Sequence, residues 1–336
     1  MKRYVSALSL ALAVTMLAGC AGLSGGSREI SSQVEEADFT IEDAPMTETV
    51  IDLPVESEEV PEETQEVLPE ETPAAEEPEP EPELPAEEVY SWDESWEYAS
   101  FSAIHSSDVT LYRAQGENRK GIVVCVNAGH GTSGGSSVKT QCHPDGSAKV
   151  TGGSTSAGSV TAAAVSGGTS MLDGTPEASV TLSLALLCKQ ALLEDGYDVL
   201  MIRESDDAQL DNVARTVMAN NLADCHIALH YDSTESDKGL FYTSVPDVSS
   251  YRSMEPVASH WQEHTALGEA VLSGMSSVGV KIWSSGSMAI DLTQTSYSTV
   301  PSIDLEVGDR ASDYSEATQS LIAQGLAAGI DAYFFG

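Results

Sequence analysis

Gly121-Ile122-Val123-Val124-Cys125-Val126-Asn127-Ala128-Gly129-His130-Gly131 is the stretch that decides the fold. Its apolar run reads as a buried strand, and the Asn-Ala-Gly-His-Gly that follows reads as a tight turn presenting an imidazole. Two further apolar runs end the same way: Cys225-His226-Ile227-Ala228-Leu229-His230, and Val300-Pro301-Ser302-Ile303-Asp304-Leu305-Glu306 before Gly308. Between the first two, Tyr197-Asp198-Val199-Leu200-Met201-Ile202-Arg203 reads as another strand, and Gly239-Leu240-Phe241-Tyr242-Thr243 as one more. Helices are expected from Glu177, over 210–222, over 254–278 and over 312–333, with 281–291 a loop holding strand pieces. For the first helix, Thr175 is expected to cap, Pro176 suits the first turn, and Leu182, Leu186, Leu187, Leu192 and Leu193 supply the apolar face. Strands alternating with helices predict an α/β fold: a three-layer domain with a mostly parallel twisted sheet flanked by helices, filling 121–336. Ligand sites in such folds gather at strand ends on one sheet edge.

His130, Glu177, His230 and Glu306 all stand at expected element ends. Two histidines and one carboxylate with an open fourth position describe a hydrolytic zinc site, and a nearby further carboxylate suits the proton transfers of amide cleavage, a task Glu306 fits. Each residue alone also has a plainer reading, Glu177 as a helix-dipole carboxylate and the histidines as structural or surface groups. Other histidines compete. His260 and His264 lie four apart on a helix, but no Glu directly follows His260 as in the His-Glu-x-x-His motif, and both are expected on the surface. His226 is expected to face the core or a packed helix, and His143 to be a solvated loop residue or to approach the metal. It lies in the Gly/Ser/Thr-rich segment 132–174, a long loop or insertion expected to rim or lid the site.

The N-terminal part reads differently. Lys2-Arg3, an apolar stretch over 4–16 and Leu17-Ala18-Gly19-Cys20 form an export signal over 1–19. Its end resembles a bacterial lipobox, with Cys20 as the lipid-bearing residue that anchors the protein to the membrane. No lysine or arginine occurs between Arg28 and Arg113, and Glu and Pro dominate, so 20–88 is expected to be a disordered acidic tether. Residues 89–120 form an aromatic lead-in, with Trp92, Trp96, Tyr98, Phe101 and Tyr112, that packs a strand onto the domain or stands as a separate motif. A net charge of −38 argues against nucleic acid as a partner. Export permits disulfides among Cys125, Cys142, Cys188 and Cys225, but the strand and helix patterns around Cys125, Cys188 and Cys225 favour free buried thiols, and there is no C-x-x-C zinc motif.

Val-Cys-Val-Asn-Ala-Gly-His-Gly at 124–131, Gly-Thr-Pro-Glu at 174–177, Gly-Tyr-Asp-Val-Leu-Met-Ile-Arg-Glu at 196–204, Ala-Arg at 214–215 with Ala-Asn at 219–220, Ala-Asp-Cys-His-Ile-Ala-Leu-His at 223–230, Val-Pro-Ser-Ile-Asp-Leu-Glu-Val-Gly at 300–308 and Gly-Ile-Asp-Ala-Tyr-Phe at 329–334 together resemble the zinc-dependent N-acetylmuramoyl-L-alanine amidases. The resemblance implies cleavage of peptidoglycan between the lactyl group of N-acetylmuramic acid and the first L-alanine of the stem peptide. It implies His130, Glu177 and His230 as zinc ligands, Glu306 as the catalytic glutamate, and structural roles for Arg215 and Asn220. Asn127 stands where that family usually has Asp, Ile290-Asp291 where it has Ile-Asn, and 307–312 replaces its Gly-Phe-x-x-Asn continuation. An extracytoplasmic, lipid-anchored enzyme facing the wall follows, with an unidentified activator left open. Its rivals are a zinc peptidase acting on stem peptides and a catalytically impaired wall-binding lipoprotein.

Overall fold

Main-chain hydrogen bonds join eight strands into one sheet within residues 84–336, the residues that the computed structural model describes. They are β1 (Glu87–Tyr90), β2 (Val109–Tyr112), β3 (Val123–Ala128), β6 (Asp198–Met201), β7 (Cys225–Asp232), β8 (Leu240–Ser244), β9 (Ile282–Ala289) and β10 (Ser302–Asp309). A separate antiparallel pair, β4 (Lys139–Gln141) and β5 (Thr161–Ala163), lies inside the 132–174 segment. The helices are α1 (Glu177–Glu194), α2 (Asn212–Leu222), α3 (Ser249–Arg252), α4 (Val257–Ser277), α5 (Thr293–Tyr297) and α6 (Glu316–Phe335). The export signal, Cys20 and nearly all of the acidic tether lie outside the described residues; β1 begins at Glu87, within the last residues assigned to that tether. No helix among the described residues is long and apolar enough to cross a membrane.

Strand order is β1-β2-β6-β3-β7-β10-β8-β9, with parallel pairing through β6-β3-β7-β10 and between β8 and β9. Side-chain alternation divides the sheet cleanly. Val124, Val126 and Ala128 of β3 join Cys225, Ile227, Leu229, Ile303 and Leu305 in a core with α1, α4 and α6. Cys125 faces the other way, into a core with Leu200, Ala214 and Met218 under α2. The result is the expected three layers. The chain passes from β3 through α1 to β6 on one side, then through α2 back to β7 on the other. The order therefore reverses between β3 and β7, the switch point where a crevice opens at the strand ends.

The lead-in is built into this architecture rather than standing apart. β2 pairs antiparallel with β6 and β1 antiparallel with β2, extending the sheet, and Trp92 and Trp96 pack against the α2 core. Asp211, whose Oδ1 caps α2 through the Ala214 N–H, turns its Oδ2 to the N–H groups of Ala103 and Ile104.

Several local expectations need correction. Thr175 does not cap α1; its hydroxyl meets Tyr314 instead. The buried face of α1 is Val180, Thr181, Leu184, Ala185, Cys188 and Leu192, while Leu186 is exposed. Apolar residues surround that helix on several sides, so leucine alone does not mark the core face. Residues 282–289 form a full edge strand. The thiols follow expectation: Cys125, Cys188 and Cys225 are free and buried, as is Cys142.

Candidate active site

His130 lies just past β3 with φ 62°, a left-handed backbone that a non-glycine residue adopts only when its surroundings enforce it. Two buried arginines do so. Arg203 donates to the carbonyls of Ala128, Gly129 and Ala178 at 3.0, 2.8 and 2.6 Å. Arg215 donates to the carbonyls of Ala128 and His130 at 2.9 and 2.6 Å and to Asn127 Oδ1 at 3.0 Å. Three consecutive carbonyls of the turn thus point at guanidinium groups, each such bond being worth roughly 1.5–3 kcal/mol. Burial lowers both arginines, Arg203 to about 10 and Arg215 to about 9, which leaves them charged at neutral pH. Gly129 permits the arrangement because a Cβ there would lie 2.3 Å from the His230 ring.

His130 Nδ1 donates to the Ser166 carbonyl at 2.9 Å, which leaves the Nε2 lone pair turned to the cavity. Nε2 lies 2.9 Å from Glu177 Oε1 and 3.1 Å from His230 Nδ1, and these last two are 3.2 Å apart. Glu177 opens α1, from the opposite layer, and reaches over the strand ends. Its Oε1 accepts from the Tyr231 N–H at 3.0 Å and its Oε2 from the Thr169 N–H at 2.8 Å. Burial works against its ionisation, but the contacts with His130 and His230 outweigh that and hold it well below the ordinary carboxylate range. Burial also opposes protonation of His230, yet Asp304, Glu177 and Glu306 together raise it to about 10.

Three donor atoms whose lone pairs converge at these distances need a cation among them, either a proton on His230 or a metal ion. Ligands 2.0–2.1 Å from a tetrahedral zinc stand about 3.3 Å from each other, so the triad's spacing and its N, N, O donor set fit that metal. Among the described residues His130, Glu177 and His230 are the group that meets this geometry.

Glu306 pairs in register with His230 across β10 and β7. Both residues lie inside their strands, not at the ends as the sequence suggested, because a bulge between Glu306 and Asp309 lets pairing resume at Asp309–Asp232. Glu306 Oε2 is buried without a hydrogen-bond partner. Burial, then the charge of Asp304, pushes Glu306 up to about 8. A cavity of about 750 Å³ opens over His130, Glu177, His230, Asp304 and Glu306.

The 132–174 segment forms part of this cavity through Lys149, Gly153, Ser154 and Thr155. Its last residues also touch His130 and Glu177 directly: Ser166 and Thr169 through the bonds above, and Gly168 so closely that a Cβ would sit 2.7 Å from His130 Cδ2. Sequence reasoning missed Ser166, Thr169, Arg203 and Asp304. For Asp304 the signal was present, since residues two apart on a strand share a face.

The competing histidines fall elsewhere. His143 is buried, neither solvated nor in the triad, with Nε2 3.2 Å from the Asp291 carboxylate. Asp291 also accepts from Lys149 at 2.9 Å and from the Val150 N–H at 2.6 Å, which pins the insertion. His264 is buried rather than on the surface and accepts the Ser302 N–H at 3.0 Å, while His260 pairs with Glu263. His226 is buried as expected, against Asn127 Nδ2 at 3.1 Å. Asn220 bonds the backbone of Tyr297 and Thr299.

Among solved structures, an N-acetylmuramyl-L-alanine amidase, Ami1, from Mycobacterium smegmatis superposes with TM-score 0.52 at 20% identity, covering 65% of this chain and 98% of that one. The apo form of Ami1 from Mycobacterium abscessus gives TM-score 0.51 at 20% identity, covering 63% and 98%. These likenesses are of fold. No curated protein matches the sequence. The family model described as N-acetylmuramoyl-L-alanine amidase (Amidase_3) matches residues 124–332, a span holding His130, Glu177, His230, Asp304 and Glu306, and the chain belongs to that family.

Proposed function

We propose that the protein is a zinc-dependent N-acetylmuramoyl-L-alanine amidase that remodels cell wall by hydrolysing the amide between N-acetylmuramic acid and L-alanine in peptidoglycan. The observation that carries this reading is the meeting of His130 Nε2, Glu177 Oε1 and His230 Nδ1 within 3.2 Å of one another, with Glu306 on the same cavity. His130, Glu177 and His230 would hold one zinc ion. The chemistry such an ion supplies when bound is polarisation of the scissile carbonyl and acidification of water.

The chain's own residues supply the rest. Glu306, raised to about 8, is suited to take a proton from the attacking water and deliver it to the departing L-alanine amine near neutral pH. Arg203 and Arg215 hold the His130 turn, and the Ser166 carbonyl fixes the His130 tautomer. The insertion walls the cavity through Lys149 and its neighbours, which limits how a glycan strand approaches. Export and a lipid anchor at Cys20, supported by Lys2-Arg3 and Leu17-Ala18-Gly19-Cys20, would place the domain outside the membrane, facing its substrate.

Metal content and muropeptide release, measured together on the intact protein with Glu306→Gln alongside, test the reading. Stoichiometric zinc with free lactyl groups and new L-Ala amino termini, lost in the variant, is the expected result. New internal peptide ends would instead mean a stem-peptide peptidase. Zinc without products would mean a wall-binding lipoprotein, and absence of zinc would remove the site.

A further inference from the structure

Asp304 has no role in the chemistry above, yet its placement is hard to explain as packing. It stands between Ile303 and Leu305, both fully buried in the core, and it shares the face of β10 that carries Glu306. Only 9% of it is exposed, and its Oδ1 has no hydrogen-bond partner. A carboxylate in such a place costs stability unless something in the working protein uses it.

His230 supplies the use. Its Nδ1 is the atom that joins the triad. A neutral imidazole that offers Nδ1 as a ligand carries its proton on Nε2, and that N–H needs an acceptor to fix the ring. Asp304 Oδ2 lies 4.0 Å from His230 Nε2 and is the carboxylate in reach of it among the described residues. The separation is about 1 Å longer than a hydrogen bond, so the pairing requires a side-chain rotation to form. His130 shows the same device completed: one ring nitrogen donates to the Ser166 carbonyl and the other faces the cavity.

We infer that Asp304 is the positioning residue of His230, accepting its Nε2–H and so directing the Nδ1 lone pair into the metal site. The inference rests on the zinc reading above. It assigns the two histidines different anchors: a main-chain carbonyl from the insertion for His130, and a strand carboxylate for His230. It also accounts for an acid buried between two core residues.

The test is zinc affinity by chelator competition on the intact protein, for wild type, Asp304→Leu, Asp304→Ala and Asp304→Asn, with the melting temperature of each metal-free form. Leu and Ala remove the acceptor, and zinc should bind roughly 10–100-fold more weakly. Asn keeps an acceptor oxygen and should recover much of that loss. The metal-free melting temperatures separate a lost acceptor from a lost fold: only a variant that still melts cooperatively counts in the affinity comparison. If Asp304→Leu does not fold, Asp304→Ala decides. Unchanged zinc affinity in the folded acceptor-free variant, or failure of Asn to rescue a loss, overturns the assignment while leaving the zinc site standing. A wild-type protein that binds no zinc overturns both.

Discussion

Glu177 and Glu306 open on one cavity from two different elements, and their surroundings are opposed. Glu177, at the start of α1, is met by two imidazoles and two main-chain N–H groups, and it is held far down as an anion. Glu306, on β10, has a buried Oε2 with no donor and another carboxylate two residues away, and it is pushed up to about 8. Side-chain chemistry is identical, so the contrast comes from what each strand and helix end brings to it. The proposed ligand, which has to stay charged, is surrounded by donors. The proposed proton carrier is left without them.

The contrast can be broken at its base by removing a ligand. His130→Ala and Glu177→Ala should each lose both bound zinc and amide cleavage, checked by metal analysis after desalting and by muropeptide chromatography. Glu306→Gln should keep the metal and lose activity by about 10²–10⁴-fold, the usual worth of a general acid–base. Retained turnover would remove Glu306 from proton transfer.

A third effect lies outside both glutamates. Arg203→Met strips donors from the carbonyls of Ala128, Gly129 and Ala178, and should destabilise the fold by on the order of 3 kcal/mol, read by denaturant unfolding. The smallest effect sharpens the comparison most. In metal-free protein, Glu177 has its pKa lowered, so its contribution to stability is present above pH 4.5 and lost as pH falls below it. Glu306 has its pKa raised, so the folded state binds the extra proton between pH 4.5 and about 8, and stability is lost as pH rises through that window. Glu177→Gln should therefore flatten the acid limb of a stability-against-pH curve, and Glu306→Gln the limb above it. The same limb flattened by both variants would show that the two sites do not differ as described.

Much of this was legible in the sequence. The run 121–126 and its sisters at 225–230 and 300–306 are apolar enough, and short enough, to be central strands and little else, so the layered α/β fold followed, although His230 and Glu306 lie inside their strands and not at the expected ends. Glu177 announced itself through Pro176. What failed to show depended on partners distant in the chain. His143 and His264 are polar in any local window; that they are buried is decided by Asp291 and by the Ser302 N–H. β9 hid behind Ser284-Ser285-Gly286-Ser287, polar because the strand is a half-exposed sheet edge. The face of α1 was misread because its leucines outnumber, but do not outrank in burial, Thr181, Ala185 and Cys188. The lead-in strands β1 and β2 are only four residues each, too short for periodicity to distinguish from an aromatic loop.

The contact of Ser166, Gly168 and Thr169 with His130 and Glu177 has a consequence for engineering. The 132–174 segment resembles an interchangeable loop, a natural place to graft new recognition surfaces onto the domain. The residues before Ser166 are tied to the domain through His143, Lys149 and Val150 on Asp291, whereas the last few hold the proposed metal ligands themselves. A graft that resets the loop at Gly167 would remove the acceptor of the His130 N–H, and one that ends beyond Thr169 would also remove a donor to Glu177. Successful loop exchange in this scaffold must splice before Ser166.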